Sequence, residues 1–455
     1  MIRLPWTQPE DLVPYALLAA TDNGTDVSDL RTRWVGAGGS DIAAANGSTP
    51  EPVSDDLRRL ARSVLDEIDA RGVPPALMAT EPDALEAIIA VSAAAPALPA
   101  SDDSLRDRML GAWLGRAAGC LLGKPVEKLP REAIRAIAQS TGNWPIAGYF
   151  TEVGLDPAVA AAYPWNRRSR PTSLAENING MPEDDDMNFP LIALGLLEDA
   201  GRDFDVDDVA KSWLSNLPGG HVFTAERVVY RNLLDGYEPA DAASIRNPFA
   251  DWIGAGIRTD VYGWANPADP RTAARLAWAD GWLTHRRSGL YGGMFAAAAC
   301  SAALVTDSVD TVLAAGLSVV PAGSRYAAAI RFGSELGTGN LDDEAALDAL
   351  AAEYGHLHWV HALNNSALLA FALTRSGGDF TRALSLAVTG GWDTDSVGAT
   401  AGSICGALAG ASGLPASWID PLDGRLASSV PGFDEVRFAD LAQRTLAVID
   451  TPARP

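Results

Sequence analysis

The sequence predicts an all-α fold. From Leu105 onward, Ala- and Leu-rich segments with apolar residues at helical spacing recur, whereas the alternation typical of strands is scarce. The clearest of these segments are Ala273–His285, Glu344–Tyr354, Ser366–Thr374 and Phe380–Val388. Of the 455 residues, 47% are apolar, which is enough for one large core or two smaller ones. We therefore predict a compact domain of many helices.

A boundary is predicted near residue 100. The segment AAAPALPASDDS contains prolines that end a helix, and Ser101 or Ser104 is a suitable N-cap for a helix that begins at Leu105. Before it, helical patterns at Asp55–Ala70 and Ala84–Ala95 alternate with loop-like sequence. We divide the chain into a partly helical accessory region, residues 1–100, and a main domain, residues 101–455. The accessory region is expected either to cover a pocket mouth or to form a docking surface.

Composition restricts the partners and the compartment. The formal net charge of −23 argues against binding to nucleic acid or an anionic membrane. The three cysteines are far apart, which predicts neither disulfides nor a thiolate zinc site, and the N-terminus lacks a secretion signal. We expect a cytoplasmic protein. Two uncharged segments, Tyr291–Val305 and Val397–Pro415, are rich in small residues and are predicted to be buried helices rather than membrane spans.

Glycine recurs at every fourth position in two predicted helices. The positions are Gly111, Gly115, Gly119 and Gly123 in one, and Gly398, Gly402, Gly406 and Gly410 in the other. Each helical glycine costs roughly 1 kcal/mol relative to alanine, so such a row indicates close backbone contact with a neighbour. We expect the two helices to pack together. The contact either brings Glu127 and Asp393 to one site or is tight packing alone.

The first acidic segment, GMPEDDDMNFP, places four acids in a row, Glu183 to Asp186. One or two acids would be enough to favour a helix N-terminus, and adjacent carboxylates repel unless a positive charge compensates them. Pro190 suggests that the helix begins near it and leaves the acids on a turn. The pattern favours a metal site over simple capping.

The second acidic segment, TGGWDTDSVGATAGS, follows a glycine pair and precedes the second glycine-striped helix. Asp393, Asp395 and Ser396 offer three oxygen ligands where a helix cap would need only one. Taken alone, this segment fits capping and metal binding equally well. Together the two segments form an all-oxygen ligand set, which selects Mg²⁺ or Mn²⁺ rather than zinc. The number of carboxylates predicts two such ions.

Other motifs are weaker. The sequence GCLLGKP resembles a phosphate-binding loop, but its glycines are one residue too close and a proline replaces the Ser or Thr that would reach magnesium. His356, His358 and His361 lie in YGHLHWVHALNN without a carboxylate or cysteine at ligand spacing, so a packed helix start is favoured over a zinc site. No Gly-x-Ser-x-Gly sequence for a serine nucleophile is present.

Four motifs, in this order along the chain, resemble those of the ADP-ribosylglycohydrolase family. They are LGRAAGCLLGKPVE (Leu114–Glu127), PEDDDM (Pro182–Met187), SGLYGGMF (Ser288–Phe295) and GGWDTDSVGATAGSICGALAG (Gly390–Gly410). The resemblance covers roughly Leu105–Leu414. It implies an all-α glycosidase domain with two Mg²⁺ or Mn²⁺ ions between the acidic motifs.

The resemblance also implies roles for individual residues. The metal ligands would be Glu183, Asp184, Asp185, Asp393, Asp395 and Ser396. The catalytic residues would be Glu127, Asp184 and Asp395. The substrate would contact Gly289, Tyr291, Gly292, Gly293 and Trp392, with the glycines forming a loop whose amides bind phosphates. The chain departs from the family pattern at Glu183, Asp186, Ser396 and Trp392.

The function implied is hydrolysis of the glycosidic bond at C1 of a ribose, in an ADP-ribosyl group on a protein or a small molecule. Two alternatives keep the same site. One is an N-glycosidase that acts on a nucleoside, a nucleotide or a metabolite derived from NAD. The other is a module that binds ADP-ribose without turnover. Without the resemblance, Glu127 would be a solvated acid at a helix end and Gly289–Gly293 a turn between two helices.

Overall fold

The computed structural model describes residues 3–449, and this part of the chain is almost entirely helical. Five helices precede residue 100: α1 (Pro9–Asp22), α2 (Ser28–Gly36), α3 (Asp55–Arg71), α4 (Pro75–Thr80) and α5 (Leu85–Ala90). The next ten are α6 (Leu105–Gly123), α7 (Arg131–Ser140), α8 (Pro157–Ala162), α9 (Arg170–Ser173), α10 (Asp185–Ala200), α11 (Val206–Asn216), α12 (Thr224–Leu234), α13 (Pro239–Ala242), α14 (Asp260–Trp264) and α15 (Pro270–Gly281). The remainder are α16 (Arg287–Ala303), α17 (Val309–Leu317), α18 (Arg325–Thr338), α19 (Asp343–Tyr354), α20 (Ala362–Ser376), α21 (Phe380–Thr389), α22 (Thr394–Ala409), α23 (Ala416–Ile419) and α24 (Phe438–Ile449). Two short antiparallel strands, β1 (Arg425–Leu426) and β2 (Val436–Arg437), pair Arg425 with Arg437.

The all-α prediction is confirmed, and most of the predicted segments are helices. The four clearest ones correspond to α15, α19, α20 and α21, and α6 begins at Leu105 as expected. One segment is shorter than predicted, because α5 ends at Ala90 instead of continuing to Ala95. After it, the Val91 carbonyl accepts a hydrogen bond from the Ala322 amide at 3.0 Å, so pairing with a neighbouring segment replaces the last helical turn.

The two glycine-striped helices, α6 and α22, form the most extensive helix contact of the fold. A Cβ atom on Gly119 would lie 1.9 Å from the carbonyl oxygen of Gly398, and one on Gly402 would lie 2.0 Å from that of Gly115. No side chain can occupy these positions, so the backbones touch directly. The expected contact between the two helices is therefore confirmed.

The two uncharged segments lie largely in α16 and α22, nearly every residue of which is buried; residues 410–415, the end of the second segment, lie beyond α22 and are partly exposed. Their small side chains permit dense packing of helices without the continuous apolar surface that lipid would require. Within residues 3–449 we find no helix with the length and apolarity needed to cross a bilayer. The prediction of buried helices is confirmed.

The region before residue 100 packs on the rest of the chain at two places. Apolar residues of α1, α2 and α3 form a second core with Phe249 and Trp252. Farther along, Ile88 of α5 reaches the main core, and the buried Glu81 pairs with Arg325. These contacts position residues 81–83 beside the N-terminus of α16, where they form hydrogen bonds with residues of that helix.

Candidate active site

The first acidic segment straddles the start of α10. Asp184 is the N-cap, and its Oδ1 atom accepts a hydrogen bond from the Asp186 amide at 2.9 Å. Asp185 and Asp186 form the first helical turn, and Asp186 is only 2% exposed. A carboxylate at this position also interacts favourably with the helix dipole. Asp184 therefore caps the helix and remains in contact with the rest of the acidic cluster.

The prediction that α10 begins close to Pro190 is wrong, because Pro190 lies inside the helix. A proline in a helix leaves the carbonyl four residues earlier without its usual amide donor. Here that carbonyl belongs to Asp186, and the buried side chain of Arg116 donates to it through Nε at 2.9 Å. The arginine on α6 thus satisfies the group that proline leaves free, which allows the helix to continue.

The second acidic segment lies at the start of α22. Gly391 and Trp392 both have positive φ, +77° and +62°, and turn the chain so that Asp393 becomes the N-cap. A left-handed conformation is uncommon for tryptophan and costs free energy, so the surrounding packing must hold it. The Asp393 carboxylate makes no capping hydrogen bond. Unlike Asp184, it does not act as a side-chain cap, and its carboxylate faces other acids.

The structure brings the two acidic segments and Glu127 together. Ligand atoms of Glu127, Asp393 and Asp395 lie within 4.8 Å of one another, and so do those of Cys120, Asp184 and Asp186. We call Cys120, Asp184 and Asp186 the first ligand group, and Glu127, Asp393 and Asp395 the second ligand group. Ser396 connects the segments because its Oγ atom donates to Asp186 Oδ2 at 3.3 Å. The expectation that the α6–α22 contact places Glu127 beside Asp393 agrees with this geometry.

Burial, followed by mutual repulsion, determines the electrostatics of the acidic cluster. Burial, Asp184 and Asp395 raise the pKa of both Asp185 and Asp186 well above the usual value. Burial and Asp395 likewise raise the pKa of Asp393, and burial with Glu127 and Asp184 raises the pKa of Asp395 to about 7. Such shifts show that the side chains around the cluster leave its negative charge incompletely compensated.

This arrangement fits a divalent metal. Among residues 3–449, Asp186 Oδ1 is a buried oxygen without a hydrogen-bond partner; Arg116 faces it at 3.6 Å, too far for a hydrogen bond, so its charge is only partly compensated. The donors of the second group are all carboxylate oxygens, which suit Mg²⁺ or Mn²⁺. Metal ligation by the individual residues named from the sequence remains a prediction.

Two cations that the sequence reasoning did not assign to the site compensate part of the charge. Lys124, next to Gly123 at the end of α6, forms an ion pair with Asp184 and donates to the Glu183 carbonyl at 3.0 Å. Burial disfavours its ammonium, but Asp184 outweighs burial and raises the pKa of Lys124. Arg116 lies 3.6 Å from Asp186 and 2.7 Å from Asp260. The GKP sequence was the feature of the sequence that could have indicated a role for Lys124 at the site.

Glu183 points to different partners from the other acids. Its Oε1 atom accepts hydrogen bonds from Asn188 Nδ2 at 2.9 Å and from the Ser429 amide at 3.1 Å, and it lies 3.0 Å from His221 Nδ1. Among the acids named as ligands from the sequence, Glu183 and Asp185 are absent from both ligand groups of the described residues. The structure thus places Glu183 beside the cluster, in a polar network that links α10 to the segment before β2.

Glu127 follows a short 3₁₀ turn, Lys124–Val126, at the end of α6. Its Oε2 atom accepts a hydrogen bond from Asn166 Nδ2 at 3.4 Å, and its Oε1 atom lies 3.2 Å from Lys128 Nζ. The side chain is 19% exposed, so one face of the carboxylate remains open towards solvent. Glu127 therefore has both fixed partners and access from outside.

The glycine-rich motif Gly289–Gly293 is not a turn or a loop, and that prediction is wrong. These residues lie in α16 and are buried. The amides that begin the helix already have acceptors: Asp83 Oδ1 at 2.6 Å for Arg287, Asp251 Oδ1 at 3.2 Å for Ser288, and the Arg286 carbonyl at 3.2 Å for Gly289. No amide of this first turn remains available for a phosphate. Carboxylates of the chain itself occupy the helix N-terminus.

Other residues named for the substrate lie at different depths. The Tyr291 hydroxyl donates to the Pro82 carbonyl at 2.6 Å and is covered by the N-terminal region. Gly292 lines a small cavity together with Asn365 and Thr400. Trp392 is half-buried directly before Asp393. Substrate contact by these residues remains a prediction.

The three histidines of YGHLHWVHALNN do not converge on a metal. His358 stacks on Trp252 with a ring separation of 4.2 Å, and His361 caps α20 by accepting a hydrogen bond from the Leu363 amide at 3.1 Å. Burial lowers the pKa of each to about 4. The packed helix start preferred from the sequence agrees with this arrangement.

Comparison with known proteins identifies the family to which this chain belongs. The family profile described as ADP-ribosylglycohydrolase matches residues 101–453. A protein of Archaeoglobus fulgidus, described as uncharacterized, is 27% identical over 328 residues, covering 70% of this chain and 93% of that protein. A solved structure described as an ADP-ribosylglycohydrolase-related protein complex is 21% identical with a TM-score of 0.44, covering 76% of this chain and 99% of its own. The match of the family profile over most of the chain shows that this protein belongs to the ADP-ribosylglycohydrolase family, and hence that it is a hydrolase of the glycosidase type.

Proposed function

We propose that this protein hydrolyses the C1 glycosidic bond of an ADP-ribosyl group on a protein or small-molecule acceptor, in a reaction that depends on Mg²⁺ or Mn²⁺. The observation that supports this most directly is the second ligand group, in which Glu127, Asp393 and Asp395 approach within 4.8 Å of one another. Family membership supports the glycosidase chemistry, and the converging acids indicate where it takes place.

The carboxylates of Asp393, Asp395 and Glu127 would hold the cation, with Asp184 and Asp185 beside them. When bound, a divalent cation supplies Lewis-acid polarisation and orients ribose hydroxyls. The same carboxylates place negative charge around C1, where positive charge develops as the glycosidic bond breaks. The oxygen-rich lining therefore favours an oxocarbenium-like transition state over the neutral ground state.

The proton of the attacking water requires an acceptor. Without a cation, burial, Glu127 and Asp184 raise the pKa of Asp395 to about 7; a bound cation would lower this pKa, so Glu127 is the better acceptor of the two. One oxygen of Glu127 accepts a hydrogen bond from Asn166, and the other lies near the half-exposed Lys128. Glu127 is the more accessible of the two and would exchange protons with solvent after each turnover.

Asp393→Asn is the sharpest test, because the Asp393 carboxylate does not cap α22. We expect kcat/KM for release of ADP-ribose to fall at least about 100-fold while the far-ultraviolet circular dichroism is unchanged. Asp379→Asn is the matched control, since Asp379 caps α21 outside the site. A chelator should abolish wild-type activity and Mn²⁺ should restore it. Full, chelator-insensitive activity of Asp393→Asn would contradict the proposal.

A second candidate substrate is a ribosyl compound without a pyrophosphate, such as a nucleoside. The occupied N-terminus of α16 favours it, because Asp83 and Asp251 take the amides that a phosphate would need. In this case the enzyme would be an N-glycosidase.

The two candidates differ in their response to Asp83→Ser. If the substrate carries phosphates at α16, freeing the Arg287 amide should lower KM for ADP-ribosyl substrates. If the substrate lacks them, its kcat/KM should be unchanged within about twofold, and nucleosides should be cleaved faster than ADP-ribosyl compounds by the wild type. Calorimetric binding of ADP-ribose without any turnover would instead indicate a binding module.

A further inference from the structure

The two ligand groups differ in the cations that the chain itself provides. In the first group, Asp184 pairs with Lys124, and Asp186 lies 3.6 Å from Arg116. Both cations are at least nine-tenths buried and belong to α6 or the residue directly after it. Their positions are therefore fixed by the same glycine contact that positions the acids of α22.

The second group has no equivalent. Within residues 3–449, no Lys or Arg nitrogen lies within ion-pair distance of Asp393 or Asp395. Glu127 has Lys128 at 3.2 Å, but that lysine side chain is 47% exposed and water shields its charge. Buried carboxylates without a fixed partner need a cation from solution.

Lys124 lies against the first acidic segment. Its Nζ atom contacts Asp184 and lies 3.0 Å from the Glu183 carbonyl, so the turn that follows α6 places an ammonium at the start of α10. An ammonium and a divalent ion both require these oxygens, and they exclude each other by charge and volume.

We propose that the Lys124 ammonium takes the place of one divalent cation, so that the site binds a single ion at Glu127, Asp393 and Asp395. The inference rests on the metal dependence in the proposed function and replaces the two ions expected from the sequence by one.

The test counts Mn²⁺ bound to the full chain by equilibrium dialysis and records the electron paramagnetic resonance spectrum. The wild type should bind about one Mn²⁺ and show the hyperfine pattern of an isolated ion. In Lys124→Met, which has a similar length without the charge, the count should rise to about two, with the broadened spectrum of two coupled ions. Circular dichroism establishes that each variant is folded.

Lys128→Met is the matched control. It removes the same charge four residues later from a lysine that faces solvent, and it should still bind about one Mn²⁺. Two ions in the wild type would overturn the inference and leave the proposed function intact. No bound ion would refute metal dependence, and the inference with it. A count of one in folded Lys124→Met, or of two in Lys128→Met, would show that the position of the Lys124 ammonium does not exclude an ion.

Discussion

Glycines have different structural roles in two regions of this protein, the contact between α6 and α22 and the start of α16. Between α6 and α22, glycines at every fourth position let two backbones touch, and a Cβ on Gly123 would lie 2.3 Å from the Asp395 amide. At the start of α16, Gly289, Gly292 and Gly293 also lie at helical spacing but cover only about one turn, and they meet varied neighbours, from the Ala250 carbonyl beside Gly289 to the small cavity beside Gly292. Glycines that repeat every fourth residue over several turns therefore indicate a helix contact, whereas a short cluster of glycines does not by itself indicate a loop.

The largest effect is expected at the helix contact. Gly119→Ala would place a methyl group 1.9 Å from the Gly398 carbonyl oxygen, and only movement of the backbone could relieve the clash. We expect the free energy of unfolding to fall by about 4 kcal/mol or more in urea titrations. Gly36→Ala, at the exposed end of α2 with no atom within 4 Å, should change it by less than about 1 kcal/mol. Equal effects would mean that the α6–α22 contact can relax.

The second largest effect is expected at Asp251, which supports α16. Its Oδ2 atom lies 2.6 Å from Arg287 Nη2 and accepts from Asn23, and burial is outweighed by Arg287 and His361, which lower its pKa to about 2. Asp251→Ala leaves a buried arginine unpaired and should destabilise the protein by about 3 kcal/mol. Asp251→Asn keeps the shape and should lose less, as measured by thermal unfolding. An equal loss in both would assign the role to charge alone.

A smaller effect concerns pH at the same region. Burial lowers the pKa of His361 to about 4, although Asp251 acts in the opposite direction. The unfolded chain binds a proton near pH 6.5 and the folded one resists it, so stability is complete above about pH 6.5 and is lost as pH falls towards 4. The loss should be about 2 kcal/mol. His361→Asn can still cap α20 and should remove the part of this pH dependence that His361 contributes, leaving the part due to His358, whereas the exposed His356→Asn should leave both.

The smallest effect is expected for Gly292→Ala. A Cβ there would lie 3.7 Å from the nearest atom, on Tyr326, which is ordinary contact. Since alanine is the better helix former, the free energy of unfolding should rise by up to about 1 kcal/mol. Gly289→Ala, whose Cβ would lie 2.3 Å from the Ala250 carbonyl, should destabilise the protein instead. Changes of opposite sign in the free energy of unfolding would show that Gly289 and Gly292 have different structural roles.

The helices could be predicted from the sequence because their apolar period is local. The α6–α22 contact was predictable for the same reason, because the four-residue spacing of glycine indicates both a helix and the face of that helix that contacts its neighbour. The start of α10 was not, because continuation through Pro190 depends on Arg116, which is distant in the chain and donates to the carbonyl that proline leaves free.

The acids of the site could be located from the sequence, but their partners could not. Asp393 and Asp395 lie two positions apart, so their proximity follows from local geometry. The pairing of Lys124 with Asp184, and the network that holds Glu183 through His221 and Ser429, depend on contacts between segments far apart in the chain. The covered N-terminus of α16 likewise depends on Asp83 from the accessory region.

The backbone contact between α6 and α22 also restricts how the two helices can slide. Because glycines repeat every four residues, the next arrangement with matching faces is displaced by about 6 Å along the helix axis. That displacement would pull Glu127 away from Asp395 by more than the 4.8 Å that now contains their ligand atoms. A chain that paired these helices four residues out of register would be compact but inactive. A measurement of activity would therefore show whether the helices have paired in the correct register.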